Sequence, residues 1–421
     1  MAEAGIDQGT RIGGTLRAGW NAVDFTPAQP VPLAGYTHRK DRMSTRVRDP
    51  LVVRALALAD GDEKVLVVAW DLLMVTEDLY QGLRNRLADT GFRLLAHATH
   101  THSSMGGFWD SFLARLFLGR HRPWALDHML DAAEKAARAA IASMAPAEAR
   151  AGSATLPGLN GNRRDPEGPK DEELTVLRLH RQDADALLVS YSAHPVIVAE
   201  RDHHAISADF PGEVIALLQR DFAFAMFVQG ALGGVDVLFP QDPGMTADRN
   251  IDLMAGPLAN SAASLARSCA PAGGPLRWAD EEWALARPDS RPFFEDEGFQ
   301  PLDWPMRTLA NFLVRGVPPV GRVGGFRLGT FAMLGFQADL GVTIDLSGKQ
   351  HARAKGVLHP VMASQTNGYL GYLHLEADYR KAPRTRPHQG MARYENAMNF
   401  FGRGTGDRVL QAAKEVLDRM A

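Results

Sequence analysis

Lys64-Val65-Leu66-Val67-Val68-Ala69-Trp70-Asp71 is an unbroken apolar run that ends in a carboxylate. A short run without polar alternation reads as a strand buried on both faces, as in sheets covered by helices. Thr76 then stands where a helix cap belongs, Leu79, Leu83 and Leu87 share one helical face, and Gly91 closes the helix. A second strand is expected from Arg93 to Ala98, which completes a β-α-β unit.

The same alternation continues along the chain. Helical spacing predicts helices over 127–142 and 406–420, and one beginning with Pro211 at its first position, with Val214, Leu217 and Leu218 inside. Strands are expected over 174–179 and 186–190, around the turn-like Gln182-Asp183-Ala184-Asp185, and over 224–229 and 331–336. The expected class is α/β, a single large domain with a mixed, largely buried β-sheet flanked by helices. The expected organisation is a tail over 1–18 and one domain over 19–421. No internal repeat is visible. Two stretches read as loops or insertions: 158–170, rich in Gly, Pro, Asn and Arg, and 278–324, with Trp283, Phe293, Phe294, Phe299 and Trp304. The aromatics of the second suit a pocket wall, a subunit interface or plain packing.

With 421 residues and 45% apolar content, the chain has ample material for a core. The net charge of −3 favours neither nucleic acid nor an acidic membrane surface as a partner. No window is apolar enough for a transmembrane span, and the first residues lack a signal peptide's apolar core, so a cytoplasmic location is expected. The single cysteine, Cys269, excludes an internal disulfide and a multi-thiolate metal site. Any transition metal must be held by His, Asp, Glu or Tyr.

Histidines cluster where such a site is expected. His97, His100 and His102 lie at the C-terminal end of a buried strand, the edge where open α/β sheets form their sites. In extended backbone, His100 and His102 point the same way and can share a metal or divide metal and proton-transfer roles. They can equally serve only to hydrogen-bond a loop. Gly106-Gly107 soon after indicates a close backbone approach. His194 ends another strand-like run, a position more often structural than catalytic, and His203 and His204 read as surface residues. Ser207 or Asp209 suffices as a helix cap. Arg163 and Arg164, in Asn162-Arg163-Arg164-Asp165-Pro166, suit either a bound oxyanion or carboxylate or a solvated charge pair. Gly230-Ala231-Leu232-Gly233-Gly234-Val235-Asp236 permits a tight turn but lacks the Lys-Ser/Thr of a phosphate loop. Tyr369 and Tyr372 sit among glycines in a turn-like segment.

These segments, in order from Gly19 to Leu417, resemble the neutral/alkaline non-lysosomal ceramidase family. The resemblance is carried by Val23-Asp24-Phe25-Thr26-Pro27, Pro32-Leu33-Ala34-Gly35-Tyr36, Asp49-Pro50-Leu51, Arg54-Ala55-Leu56, Trp70-Asp71-Leu72-Leu73 and Thr99-His100-Thr101-His102-Ser103. It continues through Asn162-Arg163-Arg164-Asp165-Pro166, Ala193-His194-Pro195, Ser207-Ala208-Asp209-Phe210-Pro211-Gly212, Asn367-Gly368-Tyr369-Leu370-Gly371-Tyr372 and Tyr394-Glu395. That family uses one zinc ion to hydrolyse the amide bond of N-acylsphingosine. The resemblance implies His100, His194 and Tyr372 as zinc ligands, with Asp339 where the family has Glu. It implies His102 as a proton-transfer group and Arg163 near the substrate carbonyl oxygen.

Two departures stand out. The family's Gly-Asp-Val-Ser-Pro segment corresponds to Gly233-Gly234-Val235-Asp236-Val237, so Asp236 replaces a serine. Asp236 is taken as a catalytic or substrate-contacting residue. Full ceramidases also carry a C-terminal β-sandwich, for which no residues remain. The expectation is therefore a zinc-dependent amidohydrolase acting on a small-molecule N-acyl substrate other than ceramide, with a homo-oligomer compatible with the sequence. The alternatives are an ester, lactone or glycosidic-bond hydrolase on the same metal, or an inactive metal-containing binding protein.

Overall fold

The structure, a computed structural model, describes residues 16–35, 43–111, 114–115, 118–238, 244–286, 320–379 and 386–421, with side chains from 390 onward in the last stretch. Phe293, Phe294, Phe299, Trp304 and Tyr36 lie outside the described residues. The chain builds the same succession of elements three times. Each time, three antiparallel strands form a meander, a helix crosses over, and a fourth strand joins the third in parallel at the sheet edge.

In the first pass, Arg17–Asp24, Val52–Asp60 and Glu63–Trp70 are antiparallel, helix Glu77–Arg86 crosses, and Arg93–Ala98 pairs in parallel with Glu63–Trp70. In the second, Glu148–Thr155, Glu173–His180 and Asp185–Tyr191 lead through helix Asp209–Leu218 to the parallel strand Phe224–Gln229. In the third, Leu276–Ala284, Val320–Leu328 and Phe331–Phe336 lead through helix Val342–Ala354 to His359–Ala363. A longer helix closes each pass: Pro123–Ala142, Ala247–Ser268 and Thr405–Arg419.

Strand alternation decides what each face meets. Val65, Val67 and Ala69, Ala186 and Leu188, Phe224, Met226 and Val228, and Phe331 and Met333 all enter one apolar core shared by the three sheets. The intervening residues face each sheet's own helices: Leu66, Val68 and Trp70 in the first, Leu187, Val189 and Tyr191 in the second, Ala332, Leu334 and Phe336 in the third. Both faces are therefore covered, which explains the unbroken apolar runs. The mixed α/β character is as expected, but the sheet is not one. It is two five-stranded sheets and one four-stranded sheet around a common core.

Local chemistry sets the boundaries. Thr76 Oγ accepts from Leu79 N at the start of Glu77–Arg86, and Gly91 takes a left-handed φ of 71° after it. The helix expected from Pro211 begins at Asp209, whose own φ is +56°. Ser207 Oγ accepts from Asp209 N, while the Asp209 carboxylate accepts from Val198 N in the neighbouring short helix and from Phe210 N. The 278–324 insertion is corrected at both ends. Residues 278–284 and 320–324 are paired strands of the third sheet, with Trp283 packed under Arg408. Their alternating exposed charges made them look like loop. Among the described residues no helix is long and apolar enough to cross a membrane.

Candidate metal centre

All three parallel strand pairs send their C-terminal ends to one place, the edge at which such sheets bind ligands. The site is assembled from residues just beyond them. Leu73, His194 and Asp339 each lie three residues past the end of the third strand of their pass, which ends at Trp70, Tyr191 and Phe336 respectively. His100 follows the fourth strand of the first pass, and Gln365 that of the third.

His100 is not in extended backbone. Its φ is +67°, so the His100–His102 pair meets through a turn and not through strand periodicity. Gln365 and Asn367, at +53° and +64°, share this left-handed geometry beside it. Such strain persists where surroundings over-determine it, and it clusters at functional sites. Here the surroundings are visible: Ala98 N donates to Gln365 O, Asn367 N to Ala96 O, and Ala96 N to the Asn367 side chain at 2.7 Å.

The imidazoles are oriented from behind. His100 Nδ1 lies 2.6 Å from the Leu73 carbonyl and His194 Nδ1 2.8 Å from the Val235 carbonyl. A carbonyl only accepts, so each Nδ1 carries the hydrogen and each Nε2 presents its lone pair to the site. His100 Nε2 lies 3.2 Å from His102 Nε2 and 3.4 Å from Asp339 Oδ1. The Tyr372 hydroxyl lies 3.2 Å from His194 Nε2. The ring nitrogens of His100, His102 and His194 all fall within 4.8 Å of one another. Burial pushes the His100 pKa down to about 3 and holds His194 well below its ordinary value, so both rings are neutral.

The oxygen donors are held as firmly. Asp339 and Tyr372 are register partners in a short parallel ladder. Gln365 Nε2 donates to Asp339 Oδ1 at 2.6 Å, and the Tyr369 hydroxyl donates to Oδ2 at 2.9 Å. Burial pushes Asp339 up to about 7 against these bonds, and burial with the nearby Asp339 raises Tyr372 well above a free phenol. Two neutral imidazole lone pairs, a carboxylate and a phenol oxygen, all buried and converging, are a set that a divalent cation satisfies. The donor set fits a metal ion.

Arg163 borders this set. Its Nε donates to Glu395 at 2.7 Å, one terminal nitrogen to the Tyr372 hydroxyl at 2.9 Å, and the other reaches Asp236 at 3.4 Å. Burial works against its charge, but Tyr372, Glu395 and Asp236 outweigh that and hold the guanidinium firmly protonated. Arg164 is no solvated charge either, because it binds Glu395 and Asn396. Glu395, fully buried, also accepts from His374 Nε2 and from Gly234 N. Gly234, with φ +83°, brings its N–H to that carboxylate. Asp236, pushed up to about 6 by burial with Arg163 opposing, meets the site through Arg163.

Every residue proposed from sequence is thus gathered here, with Asp236 at one remove. Gln365, Tyr369 and Glu395 were missed as site residues. Glu395 lies in the family segment Tyr394-Glu395, but a lone Glu on a helix carries no signal of two arginine partners. His97, by contrast, is spent on Thr366 Oγ1 and Gln229 N. His204 is exposed and His203 half-buried.

The profile of the neutral/alkaline non-lysosomal ceramidase N-terminal region matches residues 17–228, just over half of the chain. The neutral ceramidase of Mycobacterium tuberculosis is 26% identical over 272 residues, which span 59% of this chain but 42% of that protein. The crystal structure of neutral ceramidase from Pseudomonas aeruginosa superposes with a TM-score of 0.78 at 19% identity, over 97% of this chain and 75% of that one. A solved ceramidase complexed with C2 gives 0.78 and 19% over 96% and 75%. At these structural identities the likeness establishes the fold.

Proposed function

This chain belongs to the neutral/alkaline non-lysosomal ceramidase family, and on that premise we propose that it is a zinc-dependent hydrolase of an N-acyl amide bond. The observation that carries the proposal is the convergence of His100 Nε2, His194 Nε2, Asp339 Oδ1 and Tyr372 Oη in one buried cluster. These four residues would hold the metal, and zinc is the ion that best suits such a nitrogen and oxygen set. When bound, zinc supplies acidified water, with a pKa falling toward about 7, and polarises a carbonyl.

The protein's own groups do the rest. Hydrolysis joins the water oxygen to the carbonyl carbon and breaks the C–N bond; one water proton goes to the departing nitrogen and the second ends on the released amine, giving a carboxylate and an ammonium. His102, whose Nε2 faces the cluster, carries a proton to the departing nitrogen. Arg163 offers N–H donors to the developing negative oxygen, aimed by Glu395. Leu73 and Val235 fix the His100 and His194 rings through their carbonyls. Asp236 occupies the place of the family's serine and pairs with Arg163, so the substrate need not be ceramide.

Metal content and substrate profiling test this reading together. The expected result is about one zinc per chain and turnover of N-acyl amines, with esters and glycosides slower. Turnover of glycosides or lactones alone would replace the amide reading. A chain that binds zinc but cleaves none of these would be a binding protein.

A further inference from the structure

His100, His102, Asp339 and Tyr372 open on a cavity of about 30 Å³. A water needs about 10–15 Å³ of such space, and pockets for drug-sized ligands run from about 300 Å³ upward. The space beside the proposed metal ligands therefore takes two or three heavy atoms. Among the described residues its remaining wall is mostly apolar: Leu73, Met74, Trp109, Ala114, Leu118 and Met398 are at most 8% exposed, while Tyr394, also in the wall, is 38% exposed.

That wall is braced. Gly107 N donates to Leu118 O, Arg122 N to Gly107 O, and Gly106 N to Pro32 O, each at 2.7 Å. A Cβ on Gly106 would lie 2.2 Å from the Leu118 carbonyl oxygen. The glycine pair is what lets the segment carrying Trp109 close against the one carrying Leu118. Backbone bonds on both sides hold the two blocking side chains in place.

We propose that this cavity is the acyl subsite of the amidase reading above, and that Trp109 and Leu118 restrict it to short acyl groups of acetyl or propionyl size. An apolar, desolvated space favours the methyl end of an acyl group. It disfavours the leaving amine, whose nitrogen would have to be desolvated against that wall. A long acyl chain extended toward Trp109 and Leu118 has no room without displacing a buried tryptophan.

The test uses the zinc-loaded full chain, N-acyl derivatives of one amine with acetyl, butanoyl, octanoyl and palmitoyl groups, and calorimetric binding of acetate and octanoate. The expected result is acetyl preferred over octanoyl by about 100-fold or more in kcat/KM, as methylene-by-methylene exclusion allows. Acetate should bind where octanoate does not. Trp109→Ala and Leu118→Ala should each raise the octanoyl-to-acetyl ratio about tenfold or more. A ratio within one variant does not depend on its folded fraction, and Trp109→Phe provides a milder step. Octanoyl or palmitoyl processed as well as acetyl by the wild type would overturn the proposal, as would ratios unmoved in both variants. If no amide of any length is cleaved, the amidase reading fails instead, and the acetate-against-octanoate comparison still decides the size of the cavity.

Discussion

Asp339 and Tyr372 face one another across a parallel ladder, with Asp339 N donating to Gly371 O at 3.0 Å. Backbone pairing thus sets a carboxylate and a phenol oxygen side by side. His100 and His194 follow strands of the other two sheets, so the cluster joins all three.

His100→Ala and His194→Ala should each abolish stoichiometric zinc, read by elemental analysis of purified protein. Saturating zinc at about 100 times its Kd should stabilise the wild type by about 2.7 kcal/mol and neither variant. Retention of full zinc by both variants would remove the proposed centre.

Gly35→Ala separates the role of His102 from those of the ligands. A Cβ there would lie 2.8 Å from His102 Nδ1, and φ is +118°, so the ring must shift. Zinc content should stay near the wild-type level while turnover falls by about 10²-fold or more, the scale of lost acid–base catalysis. Loss of zinc in this variant would make His102 a ligand.

Glu395→Gln should destabilise the fold by about 3–5 kcal/mol, because it leaves Arg163 and Arg164 buried against a neutral amide. Burial raises the Glu395 pKa, but Arg163, His374 and Arg164 outweigh it and hold the carboxyl well below its ordinary range. Its contribution is present above the unfolded pKa and is lost as pH falls through the folded one. Urea midpoints compared from neutral to acid pH should converge for wild type and variant at the acid end. A gap that stays constant would assign the loss to packing.

Asp209 gives the opposite sign. Burial pushes it up to about 7, despite N–H donors from Val198 and Phe210. An unfolded Asp titrates near about 3.9, so between those values the folded chain keeps a proton that the unfolded chain releases. Stability should fall as pH rises through that window, by at most about 1.4 kcal/mol per unit from this group. Asp209→Asn should flatten this fall in denaturant titrations, and an unchanged slope would place its source elsewhere.

Much of the fold was legible in the chain. The strands Arg93–Ala98, Phe224–Gln229 and Phe331–Phe336 fall where their apolar runs placed them, and Thr76 caps its helix. The threefold succession of elements was not legible, because the three passes share burial alternation and topology but no residue pattern. The ends of the 278–324 insertion were misread, because Leu276–Ala284 carries charges on both sides: Asp280 and Glu282 are exposed, and Glu281 pairs with Arg408 and Arg419.

The sequence singles out His100, His194 and Tyr372 through strand ends and family segments, and Asp339 only through its place opposite the family's Glu. Their arrangement is not legible there. The left-handed turn at His100, the carbonyls of Leu73 and Val235 behind the rings, and the Glu395 grip on Arg163 all join residues far apart in the chain. Residue type and local periodicity determine which groups can bind a metal and where strands end. Which carbonyl meets which imidazole, and how much room Trp109 and Leu118 leave beside them, depends on three sheets closing over one core, a long-range packing event that no local pattern encodes.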